Sequence, residues 1–227
     1  MARKHGGWRG ESYRHSLAAH GISSMDPQTI LADRNGSLFD IIEKTERDGR
    51  ERGLSFLVDK NNGTIAVSRA SIGSEEHLIV WNRPKNWKEE DPDDWEYLGS
   101  FHTHPKWNHP RPSYTDAVVE YDIGAKFFCI GLPSDSKHTA CIDCYKFRKE
   151  DKAFKETMAE ITKRKAEIDE YIESLNPPKN VIGPDAVHDW LPKSMKAERK
   201  KLKEMTADAR EFHEKNFEKI LEKIGSG

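Results

Sequence analysis

The spacing of apolar residues changes just after Phe147, and this change limits the folds that are open to the chain. Before that point, short apolar runs such as "GLSFLVD" (53–59), "IAVSRA" (65–70) and "KFFCIGL" (126–132) are separated by turn residues, which is typical of β-strands. After it, apolar residues recur every three or four positions among charged ones, which is typical of amphipathic helices. The sequence therefore predicts an α+β fold, with a mixed, mostly antiparallel sheet and flanking helices.

The part before this change contains further predicted elements. Two short helices or one broken helix are expected within 26–49, because Asn35-Gly36 interrupts the helical spacing of apolar residues there. Another helix is expected at 113–125. The dipeptide Asn62-Gly63 favours a hairpin turn between two of the strands. Three more strands are expected, at residues 77–81, 96–104 and 139–147.

The part after the change predicts two long helices. Residues 148–175 carry an apolar seam with the heptad spacing of coiled coils, and "NPPKNVIGPD" (176–185) interrupts it. From Trp190 a second amphipathic helix is expected to extend through Ile220 and Ile224. One interpretation is a helical hairpin that packs on the sheet domain. The other is a coiled-coil arm that forms a homodimer or binds a partner protein.

These patterns divide the chain into three regions. Residues 1–25 are polar and are expected to form a flexible N-terminal segment, residues 26–147 a folded domain, and residues 148–227 a helical C-terminal extension. Charged residues make up 33% of the chain and apolar residues only 35%, so we expect much of the extension to be exposed helix.

The bulk composition argues against several classes of function. The formal net charge of −2 lacks the basic excess of nucleic-acid-binding proteins, so no nucleic-acid partner is expected. No apolar run approaches the roughly 18–20 residues that cross a bilayer, and the N-terminus lacks the apolar stretch of a secretory signal, so no membrane partner is expected. Three cysteines do not form an even disulfide set. We therefore expect a cytoplasmic protein with buried, reduced thiols, the alternatives for Cys141 and Cys144 being a second metal site or a redox pair.

The residues with the clearest chemistry lie in "HTHPKWNHPRPSYTD" (102–116). Side chains alternate across a strand, so His102 and His104 point to one face and can bind a single metal ion. Asp116, in the first turn of the following helix, is the candidate third ligand, and Ser113 is a candidate hydrogen-bond donor to an oxyanion. Other interpretations stay open: S-x-x-D is also a helix-capping pattern, and an H-x-H pair is often a surface pair.

This stretch resembles a known family signature. "HTHP", seven further residues and "SYTD" reproduce the JAMM motif of the MPN/JAB superfamily: His, Ser or Thr, His, Pro, seven residues, Ser, two residues, Asp. The resemblance covers about residues 26–147. It implies a cytidine-deaminase-like JAB/MPN fold and a single zinc ion held by His102, His104 and Asp116, with Ser113 stabilising the oxyanion. It also implies a prokaryotic-type isopeptidase that removes a ubiquitin-like modifier or sulfur carrier from conjugates, or processes its precursor.

The family also uses a glutamate upstream of the motif as general base. Glu51, just before the strand 53–59, is the preferred candidate. Trp107, in the motif loop, is a candidate contact for an extended peptide, and packing against a neighbouring loop is the alternative. Two other functions stay open: a RadC-like or other metal hydrolase of the same fold, and a non-catalytic MPN scaffold. The alternative candidates for the base are Glu43, Glu46, Glu75 and Glu76.

Overall fold

The sheet is the framework of the described structure, a computed structural model that describes residues 37–59, 65–68, 71–73, 95–105 and 110–226. Within these residues the sheet has seven strands in the order β2-β1-β4-β5-β6-β7, and β3 also pairs with β1. The strands are β1 (Arg52–Asp59), β2 (Ile65–Val67), β3 (Ser71–Ile72), β4 (Trp95–Thr103), β5 (Phe127–Leu132), β6 (Cys141–Phe147) and β7 (Leu221–Ser226).

Five helices accompany these strands in the described part of the chain. They are α1 (Ser37–Asp48), α2 (Tyr114–Asp122), α3 (Lys152–Leu175), α4 (Pro184–Trp190) and α5 (Lys196–Ile220). Within the described residues, no helix is long and apolar enough to cross a membrane. The α+β class expected from the sequence is confirmed.

The pairing of β4 with β5 is parallel, whereas β1 pairs with β2, β3 and β4 antiparallel and β5 pairs with β6 antiparallel. Two parallel neighbours cannot be joined by a tight turn, because the chain must return to the starting end of the first strand. The connection between β4 and β5 contains α2, which makes this return. The motif residues at the end of β4 and at the start of α2 therefore lie at the two ends of one crossover.

The two faces of the sheet differ in composition. One face packs against α1 and is apolar, because α1 contributes Leu38, Ile41 and Ile42 to a core cluster with strand residues that include Phe101 and Cys129. The opposite face of β4 carries polar side chains. They are buried, and they are Ser100 and His102 on the strand and His104 just after it.

The described residues divide into two compact units. The first holds the described residues up to Arg111, Glu120–Lys146 and the segment from Lys223; the second holds Pro112–Val119 and Phe147–Glu222. In the second unit Asp151 caps the start of α3 by accepting a hydrogen bond from the Phe154 backbone N–H, and Asn176 ends that helix in a left-handed conformation. Its helices α3 and α5 bury the side chains of Phe154, Thr157, Met158, Ile161, Ile168, Leu202, Thr206, Ala209, His213, Phe217 and Ile220.

The expected elements within the described residues agree with the structure except for the second long helix. That helix is expected from Trp190, but Trp190 ends the short helix α4 and α5 begins at Lys196. Residues 221–226 form strand β7 on the edge of the sheet, so the expectation that the second long helix continues through Ile224 is wrong. The helix ends because residue 221 is already extended, and Ile224 packs against the core cluster. The strand predicted at 77–81, the turn at 62–63 and the segment 1–25 lie outside the described residues.

The cysteines also correct an expectation. Cys129 on β5 and Cys144 on β6 are directly opposite in the antiparallel register, and they form a disulfide. Partners in such a pair point to the same face, so both sulfur atoms lie in the core next to α1. The expectation of three reduced thiols is therefore wrong, and only Cys141 has a free thiol.

The close approach of β4 and β5 at Gly99 leaves no room for a side chain. A Cβ atom added at Gly99 would lie 1.8 Å from the Phe127 carbonyl oxygen, a backbone atom that cannot turn away. We expect Gly99→Ala to lower the free energy of unfolding by about 3 kcal/mol or more, since overpacking at a fixed backbone forces the strands apart. Chemical denaturation measures the difference. Gly124→Ala is the matched control: Gly124 has φ of 74° with open space around its Cβ position, so we expect a cost of only about 1 kcal/mol. Equal stability of the two variants would contradict this account.

The disulfide leads to a second prediction. We expect the unfolded protein to take up one alkyl group from iodoacetamide without reductant, at Cys141, and three after reduction, as read by intact mass. Because the bond closes a loop with a sequence separation of 15, replacing both Cys129 and Cys144 by Ala is expected to lower the free energy of unfolding by about 3 kcal/mol. Three alkyl groups on the protein without reductant would show that the bond does not form.

Candidate metal site

His102 and His104 are brought together by the end of β4. Both side chains are buried, with exposures of 7% and 6%, and their Nε2 atoms are 3.1 Å apart. The backbone N–H of His104 donates to the Gly131 carbonyl at 2.9 Å, which holds the chain beside β5 one residue beyond the strand. The predicted pairing of these imidazoles on one face is therefore present in the structure.

Asp116 completes a group that can hold a metal ion. One ring nitrogen of His102, one of His104 and one carboxylate oxygen of Asp116 all lie within 4.8 Å of one another. Within the described residues, His102, His104 and Asp116 thus form a group of the kind that can bind one metal ion. A carboxylate and two imidazoles are common ligands of divalent transition metals, and burial protects such a site from competing water.

Ser113 and Asp116 also form a reciprocal helix cap. The Ser113 backbone N–H donates to Asp116 Oδ2 at 2.7 Å, and the Asp116 backbone N–H donates to Ser113 Oγ at 3.1 Å. This is the capping box that S-x-x-D predicts. The cap engages one carboxylate oxygen of Asp116, Oδ2, and so fixes the orientation of the group. A metal ion needs only one ligand atom from the same carboxylate. The capping and metal-binding interpretations are therefore compatible.

A buried carboxylate that the sequence analysis did not single out lies one helical turn after Asp116. Glu120 is 6% exposed, accepts a hydrogen bond from the Ser100 hydroxyl, and accepts another from the Tyr97 hydroxyl at 2.9 Å. Burial and the Glu120 carboxylate raise the pKa of Tyr97 well above its usual range, so the phenol remains a donor at neutral pH. The four-residue spacing places Glu120 on the same helical face as Asp116, and this was the only signal in the sequence. The partners of Glu120 on β4, Ser100 and Tyr97, depend on tertiary packing.

Glu51 lies directly before β1, whose register with β4 pairs Gly53 with His102. The Arg52 backbone N–H donates to Thr103 Oγ1, so the two chains still lie side by side at the last residues of both strands. The Arg52 side chain binds Asp48 of α1 on the apolar face. If the alternation of the strand extends one residue back, Glu51 faces the side of the histidines; it is 9% exposed.

The other glutamates considered as the base lie elsewhere. Glu43 and Glu46 are exposed on α1, where Glu43 pairs with Arg47 and Glu46 accepts a hydrogen bond from Ser134. Helix α1 covers the apolar face of the sheet, the face opposite to His102. Glu75, Glu76 and Trp107 lie outside the described residues.

Comparison with protein-family models and with curated proteins finds no match to this chain.

The group of His102, His104 and Asp116 predicts stoichiometric metal binding. We expect elemental analysis of the purified protein, after equilibration with divalent metals and removal of the excess, to give about one ion per chain. His104→Ala should lose the ion, because two ligands remain. His138→Ala is the control, since His138 lies in the loop between β5 and β6 beside Asp135. Metal retained in the His104→Ala protein, or lost equally from both variants, would contradict the assignment.

Proposed function

We propose that this chain is a zinc-dependent hydrolase of peptide or isopeptide bonds, of the JAMM type and with a JAB/MPN fold. The observation that carries the proposal is the convergence of His102, His104 and Asp116. The motif resemblance supplies the reaction class and the roles of Glu51 and Ser113. The geometry supports it because the three expected ligands converge and Ser113 begins the helix that carries Asp116.

The ligand geometry is suited to zinc. Two ligands at 2.0–2.1 Å from a tetrahedral zinc ion are separated by roughly 3.3 Å. The separation of 3.1 Å between the two Nε2 atoms lies close to this value. Two nitrogens and one carboxylate oxygen also match catalytic zinc sites, which have three protein ligands and one open position.

The remaining residues supply proton transfer. Bound zinc would polarise the scissile carbonyl and make a water molecule more acidic. In the proposed reaction Glu51 takes a proton from this water as its oxygen attacks the carbonyl carbon, and later gives that proton to the departing amine nitrogen.

Ser113 is suited to stabilise the oxyanion because of its role in the cap. A hydroxyl has one proton and two lone pairs. Ser113 Oγ accepts a hydrogen bond from the Asp116 N–H, which uses one lone pair and leaves the hydroxyl proton available. In the proposed reaction this hydroxyl donates to the oxyanion that develops on the substrate.

The substrate proposed is the conjugate of a ubiquitin-like modifier or sulfur carrier, or another peptide. This step rests on the motif resemblance. An extended modifier tail would add to an edge of the sheet by backbone hydrogen bonds, the usual way in which sheet proteins hold a peptide strand. Homodimer formation or partner binding through α3 and α5 is a separate proposal, as is a cytoplasmic location.

Glu51→Gln tests the assignment of the base. We expect this variant to bind zinc as the wild type does and to lose about 10²–10⁴-fold in kcat, because the amide cannot accept a proton. The substrates are ubiquitin-like proteins with a fluorogenic amine on the C-terminus and an isopeptide-linked dimer. The control is Glu43→Gln, on the exposed side of α1, which should keep full activity.

Two results would contradict the proposal. Full activity of Glu51→Gln would show that another group acts as the base. Failure of the zinc-loaded wild type to cleave any amide substrate of the panel would favour the non-catalytic scaffold.

A further inference from the structure

We propose that Glu120 is a positioning residue of the metal site, which sets the distance between Asp116 and the histidine pair by joining α2 to β4. The inference rests on the proposed metal-binding function and deepens it. It assigns to a residue outside the motif the task of holding two motif segments in register. Glu120 does not act on the substrate; it acts through Asp116.

The contacts form a two-point link between helix and strand. Glu120 Oε1 accepts from the Ser100 hydroxyl and Oε2 accepts from the Tyr97 hydroxyl. Two hydrogen bonds to the two oxygens of one carboxylate fix its rotation as well as its position.

An irregularity in β4 allows both hydroxyls to face the helix. Tyr97 and Ser100 are three residues apart, so in a regular strand their side chains would point to opposite faces. The register changes here: Phe56 is opposite Gly99, but Leu57 is opposite Tyr97. Leu98 is thus an extra residue, a β-bulge, and it packs against the core cluster on the other face. The bulge brings the Tyr97 phenol to the face of Ser100.

The spacing of the two elements then extends the link to the metal ligands. Asp116 and Glu120 are separated by four residues of helix, a rise of about 6 Å. Ser100 and His102 are separated by two residues of strand, a rise of roughly 6.6 Å. Because α2 runs back along the sheet from the end of β4, the link at Ser100 brings the preceding turn of the helix to the level of His102. Asp116 lies on that turn.

Cobalt(II) binding tests the inference, because its visible absorption reports the ligand geometry and not only the stability of the fold. We expect Glu120→Ala to weaken cobalt affinity by about tenfold or more and to reduce the intensity of the absorption band. Glu120→Gln should restore most of both, since an amide can still link the two hydroxyls. Tyr97→Phe, which removes one hydroxyl and keeps the ring, is the milder variant should Glu120→Ala fail to fold. Asp122→Asn, an exposed acid on the same helix, is the control and should match the wild type.

The outcomes separate this inference from the proposed function. Wild-type protein that binds no cobalt would overturn the metal site, the proposed function and this inference together. Wild-type binding with unchanged affinity and spectrum in Glu120→Ala and Tyr97→Phe would overturn the positioning role alone, even if thermal stability falls. A loss in Glu120→Ala that Glu120→Gln restores would support it.

Discussion

The parallel pairing of β4 with β5 is the constraint on which the candidate site depends. An antiparallel neighbour could follow β4 through a short turn, and the chain would then leave this end of the sheet at once. A parallel neighbour requires the chain to return, and α2 provides the return. The residues that leave β4 and the residues that start α2 therefore belong to one crossover. This is a general position for binding sites in sheets that contain parallel strands, because polar groups gather at the carboxyl ends of such strands.

Two periodicities meet at this crossover. The strand presents every second residue on one face, which yields Ser100, His102 and, just past the strand, His104. The helix presents residues four apart on one face, which yields Asp116 and Glu120. The two repeats have nearly equal lengths, so the link of Glu120 to the Ser100 and Tyr97 hydroxyls also aligns the other pair. The close approach of the backbones at Gly99 also supports this crossover, because a side chain there would separate β4 from β5.

The sequence was sufficient wherever a single local rule decides the outcome. Alternation along β4 placed the two histidines on one face, and the S-x-x-D pattern placed a cap at the start of α2. The sequence was insufficient where a contact depends on the order or register of the strands. The disulfide of Cys129 with Cys144 needs β5 and β6 paired in one register, and β7 needs the chain to return to the sheet edge after three helices. Glu120 escaped notice for the same reason, since its donors lie on β4 and depend on a bulge.

The start of α2 shows why a structural interpretation of a motif and a functional one need not compete. A capping residue needs a side-chain oxygen that accepts a hydrogen bond from a backbone N–H. A residue that stabilises an oxyanion needs a proton that it can donate. A serine hydroxyl meets both requirements through different parts of the same group. Likewise, the carboxylate of Asp116 accepts the Ser113 N–H through Oδ2, which restricts its rotation before any metal arrives. The cap therefore lowers the entropy that the carboxylate would lose on coordination, so a local folding rule pre-organises the candidate ligand.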